Sequence, residues 1–159
     1  MKIKVGFGYD VHQLQEGREF WLGGIHIPYV KGALGHSDAD VLIHAICDAL
    51  LGAANMRDIG FHFPDSSSDY KDIDSKVLLK KTCELIRAKG FEIGNVDSTI
   101  SLQKPKIKEY IPQMQEVLAS VMSIDVDDLS IKATTTEKLG FVGEEKGVAA
   151  QAVTLIYKL

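Results

Sequence analysis

Asp10 and His12 stand two residues apart in Gly6-Phe7-Gly8-Tyr9-Asp10-Val11-His12, and His44 interrupts a run, Val41 to Leu51, that is apolar on nearly every side. In an extended strand the first two share a face, because side chains alternate with period two. Two imidazoles and a carboxylate from separate elements make a three-ligand set with one position left open, the pattern of a catalytic zinc-type site. Asp40, His44 and Asp48 fall at i, i+4 and i+8, one narrow polar stripe on a helix otherwise suited to burial. Burying an imidazole beside carboxylates is costly unless something binds them. Asp-x-His alone is equally consistent with a water-exposed strand end. Its coupling to the stripe favours a metal, with Asp40 and Asp48 as groups that support a ligand or cap a helix, and Asp48 suited to orient an imidazole.

Two further constellations carry chemistry. Thr134-Thr135-Thr136-Glu137 offers three hydroxyls beside a carboxylate, which suits a phosphate and its magnesium because hard cations prefer oxygen ligands. The same residues read as a capping box opening a helix, and both readings stay open. Lys104-Pro105-Lys106 is either a solvated basic turn or a loop meeting an anionic ligand near a helix start. His26, His62 and Trp21 carry no chemical signal beyond ordinary loop, strand or packing residues.

The elements that must position these groups follow from periodicity. Ile3, Val5, Phe7, Tyr9 and Val11 face one way on a strand, and Lys4, Gly6, Gly8, Asp10 and His12 the other. That second face is bare at its centre, so a ligand or another backbone can approach it closely. Phe20 to Ile27 predicts a hairpin turning at Gly23-Gly24, and 32–37 a loop whose Ser37 or Asp38 caps the apolar helix. Residues 58–70 read as loop. Asp74 caps a second helix to about Lys89 that buries Val77, Leu78, Cys83, Leu85 and Ile86. A strand over 91–102, broken at Gly94-Asn95, precedes a helix over 106–122. Strands over 130–135 and 148–157 close the chain, with a loop or short helix between them. The order implies an α/β fold, an α+β mixed sheet with helices packed on one face, as a single compact domain over 1–159.

Composition narrows the function classes. The 159 residues are 45% hydrophobic and 25% charged with net charge −4, which supplies a core but no basic surface for nucleic acid. No run is long enough for a membrane span, and a strand pattern under way at Ile3 leaves no room for a signal peptide. Cys47 and Cys83 lie in separate apolar helical patterns and read as buried, reduced thiols. A cytoplasmic location is expected.

The motifs Gly6-x-Gly8-x-Asp10-x-His12, His36-Ser37-Asp38-Ala39-Asp40 through Ala53, Asp58-Ile59-Gly60 with Phe63-Pro64-Asp65, Gly94-Asn95-Val96-Asp97 and 132–141 stand in order over essentially the whole chain. In this the chain resembles the 2-C-methyl-D-erythritol 2,4-cyclodiphosphate synthase family of the non-mevalonate isoprenoid pathway. The resemblance implies a homotrimer with active sites between subunits. It implies the substrate 4-diphosphocytidyl-2-C-methyl-D-erythritol 2-phosphate, whose 2-phosphate attacks the β-phosphorus and expels CMP. The enzyme is then a phosphorus–oxygen lyase.

Carried over by position, the resemblance gives Asp10, His12 and His44 a zinc-like ion, and Glu137 a magnesium or manganese at the substrate diphosphate. His36 and Thr135 match transition-state stabilisers, flanked by Ser37 and Thr134 with Thr136. Asp58, Ile59 and Gly60 match the ribose and diol contacts, and Phe63, Pro64, Asp65, Ser66 and Ser67 the loop around the methylerythritol phosphate. Leu102, Gln103, Lys104, Pro105, Lys106, Ile107 and Lys108 would wrap the cytosine, with Lys106 at the diphosphate and Phe141 closing the site. The chain departs from the family pattern at Glu144, where an Arg is frequent, and at Ser67, where an Asp is frequent. Two other classes remain: a metal-dependent phosphohydrolase using Asp48 or Asp65 as base, and a non-catalytic nucleotide-binding module.

Overall fold

The computed structural model describes residues 1–159. Alternating apolar residues make β1 (Lys2–Glu16) a long strand, and the Gly23-Gly24 turn folds β2 (Phe20–Leu22) onto β3 (Ile25–Ile27) as an antiparallel hairpin. Next come β4 (Lys31–Ala33), the apolar helix α1 (Val41–Ala53) and a short α2 (Ile59–His62). Then follow α3 (Ser75–Ala88), β5 (Glu92–Ser101), α4 (Ile111–Met122), β6 (Leu129–Thr134), a short α5 (Gly140–Gly143) and β7 (Gly147–Lys158). The main sheet runs β4-β1-β7-β5-β6 and is mixed, with β5 and β6 parallel and its other neighbours antiparallel. The expected break at Gly94-Asn95 is a bulge in the β5–β7 ladder, between Ile93 and Asn95.

The bare face of β1 receives a backbone. A Cβ at Gly6 or Gly8 would run into the carbonyl oxygens of Ala49 and Ala45, so α1 lies directly on the strand. Ala45, Ala49 and Ala53, one per turn of α1, are buried together with Ala150 and Ala152, the β7 neighbours of Asp10 and Gly8. Small residues on both sides let strand and helix meet closely enough for side chains at their ends to converge. On the opposite face of the sheet β1 is open over residues 3–11, and Phe141 of α5 lies over Gly147. There Val5 and Phe7 are 65% and 63% exposed, flanked by exposed Ile3, Tyr9, Val11 and Val153.

Several boundaries differ from expectation for identifiable reasons. Residues 31–33 are a strand paired to 14–16 of β1 rather than the start of a loop. Asp40, not Ser37 or Asp38, caps α1 by accepting from Ile43 N. The earlier two are already committed, Ser37 Oγ to Ala39 N and Asp38 to Asp40 N and Ser75 N. On α3 the buried stripe is Leu78, Leu79, Thr82, Cys83 and Ile86, while Val77 is exposed off its edge. Pro112 sets the start of α4 at Ile111, after a single 3-10 turn over 108–110, because proline is favoured in a first helical turn. The capping box at Thr134–Glu137 does not form: Glu137 and Lys138 adopt left-handed φ of 53° and 64°, and α5 begins later with no side-chain cap.

Candidate metal centre and ligand clefts

Asp10 and His12 leave β1 toward α1, and His44 sits one helical turn inside α1, half-buried like the other two. Asp10 Oδ2 lies 2.8 Å from His12 Nε2 and 3.1 Å from His44 Nδ1, and the two nitrogens are 3.2 Å apart. These are close to the edges of a tetrahedron with metal–ligand bonds of about 2.0 Å, which measure about 3.3 Å. The nitrogens that face away are held by other groups. His12 Nδ1 donates to Leu34 O at 2.9 Å, and His44 Nε2 lies 2.9 Å from Ser75 Oγ and 3.2 Å from Ser37 Oγ. The lone pairs of Nε2 on His12 and Nδ1 on His44 are therefore free to turn on one point with the Asp10 oxygen. The donor set fits a divalent cation of zinc type.

The electrostatics follow from that crowding. Burial opposes ionisation of Asp10, but hydrogen bonds and charge from His12 and His44 outweigh it and hold its pKa at about 2. Burial likewise opposes protonation of His12, and Asp10 outweighs it and raises the imidazole above its ordinary value. Without a cation the site therefore attracts a proton, the same competition a metal must win.

The cleft in front of the triad has a volume of about 210 Å³. It is lined by His36, Ser37, Ile59, Gly60, Phe63 and Asp65 among the expected residues, and by Gly35, Tyr70, Ile73 and Leu78, which sequence reasoning missed. His36 Nε2 donates to Ser67 O at 3.1 Å, tying the 63–67 loop to the segment before α1. Asp58 caps α2 by accepting from Phe61 N, and Ser67 caps the next 3-10 turn, so both shape the rim.

Asp40 serves as a capping group, one of the two roles expected of it, and Asp48 does not orient an imidazole. Asp40 is fully buried and accepts from Gly23 N, Gly24 N and Ile43 N, pinning the hairpin turn to the head of α1. Burial and the neighbouring Asp38 push its pKa up, against those three N–H donors. Asp48 accepts from Ile59 N at 2.7 Å and fixes the start of α2, with no hydrogen bond to an imidazole. The partners behind His44 are instead the hydroxyls of Ser37 and Ser75. Ser75 gave no signal in the sequence because a serine at a helix start is ordinary, and 31 residues separate it from His44.

Much of the remaining expected set lines a second cleft of about 170 Å³, whereas exposed Pro64 and Ser66 line neither of the two clefts. Leu102, Gln103, Pro105, Lys106, Ile107 and Lys108 line it with Ala133, Thr134 and Thr135. Glu137 is exposed beside it, its N–H donating to Thr135 Oγ1 at 3.3 Å, and Thr136 Oγ1 donates to Leu139 O. Exposed Lys104 is not among the residues lining it, and Phe141 covers Gly147. Asp10, Ala150, Ile100 and Ala133 are successive cross-strand partners. The two clefts thus open at one end of the sheet, on strands three spacings apart, roughly 14 Å. One chain does not bring them together.

A mixed sheet with its main helices on one face and, at its end, an Asp–His–His cluster able to hold a metal ion define the class, an α/β fold with a candidate metal centre. Residues 3–157 match the YgbB family, and the chain belongs to that family. It is 70% identical over 159 residues, the full length of both chains, to 2-C-methyl-D-erythritol 2,4-cyclodiphosphate synthase of Bacteroides fragilis strain YCH46. Among solved structures it is similar to a CDP-bound 2C-methyl-D-erythritol-2,4-cyclodiphosphate synthase, with TM-score 0.90 and 34% identity, covering 97% of this chain and 100% of that one. The CDP complex of IspF from Plasmodium falciparum matches with TM-score 0.86 and 35% identity, covering 98% and 96%.

Proposed function

We propose that this chain converts 4-diphosphocytidyl-2-C-methyl-D-erythritol 2-phosphate to 2-C-methyl-D-erythritol 2,4-cyclodiphosphate and CMP, acting as a phosphorus–oxygen lyase of isoprenoid biosynthesis. The observation that carries the reading is the Asp10–His12–His44 triad at the mouth of a cleft lined by His36 and Ser37, in a chain 70% identical to a named synthase. Asp10, His12 and His44 would hold a zinc-type ion, and Glu137 would help to hold a magnesium or manganese at the substrate diphosphate. When bound, these cations supply positive charge against the phosphoryl oxygens.

The chain's own residues supply position. The reaction is a ring closure within one substrate, so no protein nucleophile is needed, and aligning the 2-phosphate with the β-phosphorus is worth several kcal/mol, of order 7 or more in the best-aligned cases. His36, whose Nε2–H is already given to Ser67 O, would need a second ring proton at Nδ1 to donate to a phosphoryl oxygen, whereas the Thr135 hydroxyl would donate directly as charge shifts to the leaving CMP. Asp58, Ile59 and Gly60 shape the diol and ribose side, Phe63 to Ser67 hold the methylerythritol phosphate, and 102–108 take the cytosine, with Lys106 at the diphosphate.

The two halves of this site lie on separate clefts, which supports a homotrimer in which the cytidine cleft of one subunit completes the metal cleft of the next. The exposed Ile3, Val5, Phe7, Tyr9 and Val11 face supports the same assembly, since an apolar patch of that extent is uncommon on a monomer. No helix is long and apolar enough to cross a membrane. Buried, unpaired Cys47 and Cys83, the latter's thiol pushed up to about 12 by burial, suit a reducing cytoplasm.

Phosphorus NMR of the products tests the reaction. Cyclic diphosphate formed one-for-one with CMP is expected. Inorganic phosphate instead would overturn the reading in favour of a phosphohydrolase, and tight CMP binding without turnover under any metal would reduce the protein to a binding module.

A further inference from the structure

Behind His44 lies a buried chain of hydrogen bonds that crosses from α1 to α3. His44 Nε2 is 2.9 Å from Ser75 Oγ, and Ser75 is fully buried as the first residue of α3. Ser75 Oγ in turn meets Asp38 Oδ1, while Ser75 N donates to Asp38 Oδ2 at 2.9 Å and Asp40 N donates to Oδ1 at 3.1 Å. An ionised carboxylate only accepts, so the single hydroxyl proton of Ser75 is committed to Asp38. Toward His44 the Ser75 oxygen is then an acceptor alone, which favours the ring proton on Nε2. The second hydroxyl near Nε2, Ser37 Oγ at 3.2 Å, already accepts from Ala39 N and is the longer contact.

A competing partner sits on the other side of the ring. Asp10 Oδ2, 3.1 Å from Nδ1, would equally hold a proton there. That tautomer would block the nitrogen that faces His12 and Asp10, where a cation must bind.

We propose that Ser75, backed by Asp38, is a positioning residue that fixes His44 as the Nε2–H tautomer and so keeps the Nδ1 lone pair directed at the metal centre. The proposal rests on the metal reading above, but the tautomer itself is a property of the metal-free protein. The other hydroxyl behind Nε2, Ser37 Oγ, is the longer contact at 3.2 Å and is shared with Ala39 N, whereas His12 is fixed by the backbone oxygen of Leu34.

The test is long-range nitrogen–proton NMR of the histidines in metal-free protein at roughly pH 8, above the ordinary imidazole range. It is paired with zinc affinity by chelator competition, for wild type, Ser75→Ala and Ser75→Thr. Wild type is expected as Nε2–H. Ser75→Ala, which adds no atoms, should shift His44 toward Nδ1–H and weaken zinc binding by about 10- to 100-fold. Ser75→Thr, which restores the hydroxyl, should recover the tautomer and most of the affinity. Asp38→Asn offers a second route if the added methyl of threonine disturbs the buried site, and should loosen the tautomer preference without removing the serine. His44 remaining Nε2–H in folded Ser75→Ala with zinc affinity within twofold of wild type would overturn the proposal. A wild type found as Nδ1–H would do the same. Wild type that takes up no zinc while His44 still switches tautomer would overturn the metal reading and uphold the relay.

Discussion

At the residue scale, three donors separated by at least two residues and at most 34 converge within 3.2 Å of one another, and their protonation decides what the site can hold. Asp10 is depressed from 3.8 to about 2, so its ionised form stabilises the metal-free fold above pH 3.8 and that contribution is lost as pH falls through about 2. His12 is raised above 6.5, so its contribution is complete below 6.5 and is lost as pH rises through the raised value. Zinc must displace that His12 proton. The rise in Tm on adding zinc is therefore expected to be larger at roughly pH 8 than at pH 6. Calorimetry across that range checks it, and an increment independent of pH would remove imidazole ligation from the account. His44→Ala should abolish tight zinc and turnover while helical circular dichroism is retained, because α1 is held by ten buried residues other than His44. The ligand triad was legible because strand period and the polar stripe place these residues without any knowledge of the fold. The duties of Asp38, Asp40, Asp48 and Ser75 were not. Each is decided by which of several nearby N–H or imidazole donors it reaches, and that depends on how the hairpin, α2 and α3 dock.

At the element scale, the site depends on how closely α1 approaches β1. Gly8→Val would drive a branched side chain into the Ala45 carbonyl and should cost at least about 3 kcal/mol in urea denaturation, with loss of zinc from the folded fraction. A change under about 1 kcal/mol would mean that α1 has more freedom than this packing allows. Asp40→Ala leaves Gly23 N, Gly24 N and Ile43 N without their acceptor and should cost at least about 2 kcal/mol. Zinc affinity should fall less than in His44→Ala, since the Asp40 carboxylate bonds no ligand side chain. The main strands, the bulge at Gly94-Asn95 and helices α1 and α3 were readable from periodicity and caps. The three-residue strand β4 and the short α2 were not, because pieces that short carry no period and form only where β1 or a side-chain cap receives them.

At the scale of the whole molecule, the cleft at Asp10, His12 and His44 and the cleft at Lys106 lie three strand spacings apart on one sheet, so the proposed site needs a second copy of the chain to join them. Cyclic closure of three copies would set the metal cleft of each against the Lys106 side of the next and cover the Val5 and Phe7 face at the centre. The sequence motifs give the contents of both clefts but not their separation, which arises from strand order: β7 and β5, the last and a middle strand, lie between β1 and β6. Sedimentation should therefore find no stable monomer, and Phe7→Glu should dissociate the assembly and abolish turnover together. The most direct measurement is subunit complementation. His44→Ala and Lys106→Ala are each expected to be inactive alone. Co-expressed with two tags and purified through both, every mixed trimer contains one site with both halves intact. The account predicts recovery of about a third of wild-type cyclic diphosphate formation. Mixed oligomers that form and remain inactive would contradict it.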